Sequence, residues 1–267
     1  MSKSLKLTIV SPTFNQAQFI EKTFQSILKQ KITFPLEYIV VDGLSTDETP
    51  KLVKKYVPIF SKAGIVFRSI REKDKGQSDA INKGWKLATG DVLTYLNTDD
   101  CYMPGVLNKV MKHFSDNPKT QWLYGGWNIV NEKGRLFRTY QAPRFNHFLF
   151  STYAQNIGQP SCFYRKSLLK KAGALNKNLH LAMDYDLWLR FAKLATPIAL
   201  PYIISKMRYH SQAKSSQYAD KHNREAYSVA KGHLTPDALL HHAHLILRYL
   251  VGEVKIRLGK SLSQEVI

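Results

Sequence analysis

Four residues, Asn97-Thr98-Asp99-Asp100, follow directly on the apolar run Val92-Leu93-Thr94-Tyr95-Leu96. A strand that ends in clustered carboxyl and amide oxygens places hard ligands at the edge of a sheet where open α/β folds bind their ligands. Such oxygens suit Mg²⁺ or Mn²⁺, which in turn bridge the phosphates of a nucleotide. The same residues also read as a strand-to-helix turn, because Asp and Asn cap helices and Pro104 fits a first helical turn. Three further polar clusters lie in loops or at strand ends, where function sits on an α/β scaffold. They are Ser11-Pro12-Thr13-Phe14-Asn15, Val41-Asp42-Gly43-Leu44-Ser45-Thr46-Asp47, and the stretch from Asp74-Lys75-Gly76 through Asp79 and Asn82 to Gly84.

The elements that must position these clusters alternate. Leu5 to Val10 is a first strand, stopped by Ser11-Pro12, and residues 17–31 carry Phe19, Ile20, Phe24, Ile27 and Leu28 at helical spacing. Tyr38 to Val41 reads as a second strand, 47–59 as a helix, Ile65 to Phe67 as a third strand, 78–88 as a helix and Val92 to Leu96 as a fourth strand. This rhythm predicts a parallel, doubly wound sheet, and burial on both faces accounts for the continuously apolar strands. After residue 120 the pattern becomes antiparallel, with strands at Gln121 to Val130 and Leu136 to Tyr140 around the turn Asn131-Glu132-Lys133-Gly134. A short strand at Ser161 to Arg165, a helix at 184–195, a strand at 198–204 and helical sequence over 215–260 complete the chain.

The bulk composition narrows the classes. The 267 residues are 44% hydrophobic and 12% aromatic, enough for a substantial core in one large or two small α/β domains. Cys101 and Cys162 lack metal-ligand spacing, so reduced thiols in a cytoplasmic setting are expected. Met1-Ser2-Lys3-Ser4 leads into the first strand without an apolar signal segment, and no apolar run reaches the ~18 residues of a spanning helix. The formal net charge of +19 attracts polyanions, whether nucleic acid, an anionic membrane surface or diphosphate-bearing substrates. The charges are dispersed and no zinc-finger, homeodomain or RNP signature is present, so nucleic acid is not the expected partner.

Taken together, in this order and spacing, the clusters resemble the nucleotide-binding half of family-2 glycosyltransferases. That family has a Pro-x-x-Asn loop, an Asp before Gly/Ser-Thr-Asp, a Gly-x-x-x-Ala-x-Asn-x-Gly helix start and a DxD-type metal box. The resemblance extends to Gln159-Pro160-Ser161-Cys162-Phe163, to Gly173-Ala174-Leu175-Asn176 leading to Asp184-Tyr185-Asp186-Leu187-Trp188-Leu189-Arg190, and to Met207-Arg208-Tyr209-His210. It implies a GT-A fold: a Rossmann-like, mostly parallel central sheet with a small antiparallel acceptor-side part, plus C-terminal helices. The implied division is a GT-A domain over 1–214, with a nucleotide-binding half of about 1–116 and an acceptor half of about 117–214, and a helical extension over 215–267. Two departures stand out: Asp42-Gly43 offers one aspartate where many relatives have two, and Asn97 opens the metal box with an amide.

The resemblance also implies roles. Pro12, Thr13 and Asn15 would hold base and ribose, or simply form a turn. Asp42 would accept a hydrogen bond from the base's imide N–H, or close a turn. Asp79 and Asn82, three residues apart on one helix face, would contact the nucleoside, with a dipole partner at the helix start as the alternative for Asp79. Lys75 would meet phosphate or stay solvated, and Asn97 and Thr98 would join the nucleotide-sugar contacts. Asp99 is the expected principal ligand of a divalent cation (Mg²⁺ or Mn²⁺), with Asp100 supporting it and His210 as a further ligand. Asp184 is the expected general base for an inverting transfer, taking the acceptor hydroxyl's proton. Asp186 reads as a first-turn helix residue, with Trp188 and Arg190 holding the local fold or touching the donor diphosphate. Capping is the alternative for both aspartates.

The expected substrates are therefore a nucleoside-diphosphate sugar, UDP by default, and a hydroxyl acceptor on a glycan or lipid-linked glycan, in bacterial cell-surface polysaccharide or glycolipid synthesis. Residues 236–258 place Leu239, Leu240, Ala243, Ile246, Leu247, Leu250, Val251 and Val254 on one stripe, with His241, His244, Arg248 and Lys255 opposite. That pattern fits peripheral association with an anionic membrane at the inner face of the plasma membrane, or packing on protein. A nucleotide-sugar-binding protein of impaired catalysis is the alternative that Asn97 raises. A Rossmann oxidoreductase is excluded, since Ser11-Pro12-Thr13-Phe14-Asn15 stands where a Gly-x-Gly-x-x-Gly turn would be required.

Overall fold

The computed structural model describes residues 4–151, 156–211, 213 and 218–233. Its strands are β1 (Leu7–Thr13), β2 (Leu36–Asp42), β3 (Val66–Arg71), β4 (Val92–Tyr95), β5 (Cys101–Tyr102), β6 (Trp122–Val130), β7 (Leu136–Tyr140), β8 (Cys162–Arg165) and β9 (Ile198–Arg208). The helices are α1 (Ile20–Leu28), α2 (Thr49–Lys62), α3 (Gln77–Leu87), α4 (Val106–Asp116), α5 (His147–Ser151), α6 (Lys166–Ala172), α7 (Met183–Leu194) and α8 (Ala219–His233), with a 3₁₀ turn at Gln159–Ser161. One nine-stranded sheet runs β3-β2-β1-β4-β8-β6-β9-β5, and β7 pairs with β6. It is parallel through β3-β2-β1-β4. The sheet turns antiparallel at β4–β8 and β8–β6 and is parallel again at β6–β9.

Alternation along the strands explains the two cores. In β1, Leu7 and Ile9 face one layer and Val10 the other; in β4, Val92 faces the first and Leu93 and Tyr95 the second. The first layer packs on α1, α2 and α4 through Phe24, Phe60 and Phe114. The second packs on α3, α7 and α8 through Trp85, Trp188 and Ala226. A layer on each face is why the strands carry apolar residues at consecutive positions.

β3 departs from that pattern. It starts at Val66, runs on to Arg71 and is largely exposed, because it is an edge strand with β2 on one side only. β9 is longer than its apolar core at 198–204, since pairing with β6 carries it to Arg208. Helix α1 begins at Ile20, because the N–H groups of Asn15, Gln16 and Ala17 bond side chains of the loop after β2 and the start of α2. Helices α4, α5 and α6 lie outside the elements read from sequence; Val106, Val110 and Phe114 supply the buried stripe of α4. Of the helical stretch read over 215–260, residues 219–233 are helix, while 236–258 lies outside the described residues.

Candidate active site

The parallel strands β1 and β4 end side by side, so their loops open on the same edge. There they meet the 3₁₀ turn, the start of α7, the end of β9 and α8 around a cleft of about 520 Å³. Pro12, Thr13, Asn97, Thr98, Asp99, Asp100, Asp184 and His210 all line it.

The box at 97–100 is held from both sides. Thr98 donates its hydroxyl to Thr13 Oγ1 at 3.1 Å, tying it to β1. Asp100 is buried and accepts the Arg208 N–H at 2.9 Å, while its carbonyl accepts the Thr23 hydroxyl at 2.7 Å. Burial, and then the neighbouring Asp99 charge, push the Asp100 carboxyl well above the usual carboxylate range. Asp100 thus anchors the end of β9, and Asp99 is left facing the cleft. Asp99 Oδ2 lies 3.0 Å from Nε2 of His210, whose ring rests on Phe19 with centroids 4.6 Å apart. Arg208 donates Nε–H to the Asp99 carbonyl at 3.1 Å and its other end to the Asn131 and Glu132 carbonyls, which fixes the loop that carries His210.

Asn97 has a different setting. Its Oδ1 accepts from Gln77 Nε2 at 2.7 Å, its amide N–H₂ reaches Gln159 Oε1 at 3.4 Å, and Gln159 donates to the Tyr95 carbonyl at 2.6 Å. The oxygen that would bind a cation is therefore engaged in a chain of side-chain amides.

Asp184 stands in the first turn of α7, where its Oδ1 accepts the Tyr185 N–H at 2.8 Å. Burial raises its carboxyl, opposed by His222 and reinforced by Glu225. A carboxylate pushed upward is a stronger proton acceptor.

The other sequence candidates do not line the cleft. Asn15, at a left-handed φ of 52°, accepts the Thr46 N–H at 2.8 Å and donates its own N–H to Ser45 Oγ. Asp42 accepts the Ser45 N–H at 2.9 Å and pairs with Arg71 at 3.2 Å. Together these two residues knit the β1 and β2 loops. Lys75 is exposed. Asp79 accepts the Lys75 N–H and pairs with Lys177 at 2.6 Å, and the Lys177 bond outweighs burial in holding its carboxyl low. Asn82 is buried and bonds Leu175 in both directions, at 2.9 and 3.0 Å. Asp186 pairs with Arg190 at 2.8 Å and His233 at 3.1 Å. Burial would raise the Asp186 carboxyl, but these partners outweigh it. Trp188 is core, packed on Trp122, Tyr164 and Phe191. Arg190 donates to the carbonyls of Ala172, Gly173 and Ala174 at the end of α6.

Gln77, Gln159, Arg208 and His222 line the cleft without a role assigned from sequence. Gln77, Gln159 and Arg208 lie within the clusters and motifs quoted above. His222 has no local signal, since only the docking of α8 brings it there. Among the described residues no group of three His, Cys, Asp or Glu converges on one point. The pair Asp99–His210 is a donor set of one carboxylate and one imidazole, to which substrate phosphates would add the remaining oxygens.

A family description, "Glycosyl transferase family 2", matches residues 8–177. A PGL/p-HBAD biosynthesis glycosyltransferase of Mycobacterium tuberculosis is 30% identical over 184 residues, covering 68% of each chain. A Rickettsia felis protein described as an uncharacterized glycosyltransferase is 28% identical over 235 residues, 82% of this chain and 36% of that one. This chain thus spans about a third of the length of the Rickettsia relatives. Among solved structures, S. aureus TarS 1–349 in complex with UDP-GlcNAc superposes with a TM-score of 0.66 at 18% identity, covering 92% of this chain and 72% of that one. The mannosyltransferase PcManGT from Pyrobaculum calidifontis, in complex with GDP-Man and Mn²⁺, gives 0.65 at 18%, covering 98% and 81%. At such identities the structural likeness speaks for a shared GT-A fold.

Proposed function

The chain belongs to glycosyl transferase family 2, and from that premise we propose a metal-dependent, inverting transfer of a sugar from a nucleoside diphosphate to a hydroxyl acceptor. The observation that carries this reading is the shared cleft: the Asp99–His210 pair and the partly buried carboxylate of Asp184 line the same cavity. Pro12 and Thr13 contact the nucleoside end, and Asp99 with His210 would hold Mg²⁺ or Mn²⁺. When bound, the cation neutralises charge on the departing diphosphate. Asp184 accepts the acceptor hydroxyl's proton as that oxygen attacks the anomeric carbon and the bond to the diphosphate breaks on the opposite face. Asn15, Asp42, Asp79, Asn82, Asp186 and Arg190 serve this site by fixing its loops, given the partners each one holds.

The donor assignment draws on the UDP-GlcNAc in TarS and the GDP-Man and Mn²⁺ in PcManGT, with UDP as default. The mycobacterial relative's name points to glycolipid assembly at the cell surface, with a glycan or lipid-linked glycan as acceptor. Among the described residues no helix is long and apolar enough to cross a membrane; the stripe of 236–258, outside those residues, fits peripheral association with anionic lipid or packing on protein. The engaged amide of Asn97 favours a second reading, a nucleotide-sugar-binding protein of impaired catalysis.

A donor screen by nucleoside-diphosphate release separates the two readings. Turnover that stops with EDTA and returns with Mn²⁺ is expected. Release undiminished by EDTA removes the cation from the scheme, and binding without release with any donor and acceptor favours the second reading.

A further inference from the structure

Helix α7 begins without a side-chain cap, since its cap position is Ala182. The three N–H groups of His180, Leu181 and Ala182 instead donate to a single atom, Oε1 of Glu225 on α8, at 2.9, 2.8 and 2.8 Å. Successive N–H groups converging on an anion form a nest, and a negative charge at a helix N-terminus is favourable. His180 and Leu181 are part of the cleft wall, and Asp184 follows two residues after the nest. One turn before Glu225, His222 lines the same cleft. Ala226, Val229 and Ala230 are buried in the core shared with α7, so α8 is a fixed support. The family match ends at residue 177, before both the nest and α8.

We propose that Glu225 is a positioning residue for the transfer: its carboxylate holds the 180–182 turn, and through that turn it sets Asp184 against the acceptor hydroxyl. α8 is then part of the active-site wall. The inference rests on Asp184 being the base. Among the described residues, His222 and Glu225 from α8, Tyr95 from β4 and Cys162 from β8 interact electrostatically with Asp184.

The test measures steady-state kinetics and donor-nucleotide titration on the full chain with Glu225→Ala, Glu225→Gln and Glu225→Asp, alone and combined with Asp184→Asn. Displacement of a reacting group by about 1 Å costs on the order of 10²-fold, so Glu225→Ala should lower kcat by that factor. Donor KM and binding stoichiometry should hold, because Pro12, Thr13, Asp99 and His210 sit on other elements. Glu225→Gln keeps an acceptor oxygen and should recover most of kcat, and the shorter Glu225→Asp should fall between. In the Asp184→Asn background Glu225→Ala should add nothing, as expected of residues acting in series. A kcat within twofold of wild type for Glu225→Ala, or a full additional loss in the Asp184→Asn background, overturns the proposal. If Glu225→Ala loses stoichiometric binding through misfolding, a Glu225→Asp enzyme with wild-type kcat overturns it in its place. Undiminished turnover of Asp184→Asn alone would sink the base assignment instead.

Discussion

His210 Nε2 lies 3.0 Å from Asp99 Oδ2 although 111 residues separate them in the chain. The contact is made because Asp100 binds the Arg208 N–H and Arg208 binds the Asp99 carbonyl, which brings the end of β9 against the end of β4. Phe19 packs on the imidazole, with ring centroids 4.6 Å apart. A carboxylate and an imidazole so placed are the two protein donors that the proposed cation would use.

Asp99→Ala and His210→Ala should each abolish the Mn²⁺-dependent part of nucleotide binding; the fold persists in the first because Asp99 lies at the cleft surface, while the second also costs stability because His210 is buried against Phe19. Calorimetric titration with UDP, with and without Mn²⁺, gives the answer. Equal Mn²⁺ enhancement in both variants would remove the pair from the metal site.

Asp184→Asn should keep donor affinity and lower turnover by roughly 10²–10⁴, the usual contribution of a positioned base. Asp186→Asn should act through thermal stability, since its carboxylate is paired with Arg190 and His233. A dead Asp186 variant with normal stability and donor binding would exchange the two assignments.

The raised Asp184 carboxyl also links activity and stability to pH. The folded state holds this proton more tightly than the unfolded chain, so its stabilising contribution is present at low pH and lost as pH rises through the folded value. Asp184→Asn should therefore melt higher than wild type near neutrality, and the gap should close below about pH 4, where the aspartate is protonated in both states. The kcat of wild type should fall on the acid side at a pH above the ordinary aspartate value. A variant that melts lower than wild type at neutral pH would contradict the burial argument.

Asn82→Ala strands the buried N–H and C=O of Leu175. Each unmade bond costs about 1–3 kcal/mol, which urea denaturation would register. Donor affinity should be unaffected, and a specific loss of nucleotide binding in a stable variant would restore Asn82 to the nucleoside contacts.

For the tail, Arg248, Lys255 and Arg257 would together supply about 3 kcal/mol of attraction to anionic lipid. The full chain should sediment with anionic liposomes and release at high salt, and truncation after Thr235 should free it with donor hydrolysis intact. An insoluble truncation would show that the stripe completes the core.

The local sequence alone determined which runs become the parallel strands and which polar clusters follow them. Asp42-Gly43 and Asn97 mark where β2 and β4 stop, whereas β1 runs past the expected stop at Ser11-Pro12 to Thr13, because pairing with β2 carries it level with Asp42; in a parallel sheet those ends share one edge. The placement of Pro12, Thr13, Asn97 and Asp99 around one cleft follows from that. Which polar side chains face the cleft was decided by tertiary partners far along the chain. Asp79 turned to Lys177, Asn82 to Leu175 and Asn97 to Gln77, because a buried polar group takes whichever partner the packing supplies. The same holds for α8. Its sequence shows an ordinary amphipathic helix, and only its docking on α7 places Glu225 under three backbone N–H groups and His222 in the cleft wall, since a carboxylate's partners are set by three-dimensional proximity rather than by spacing.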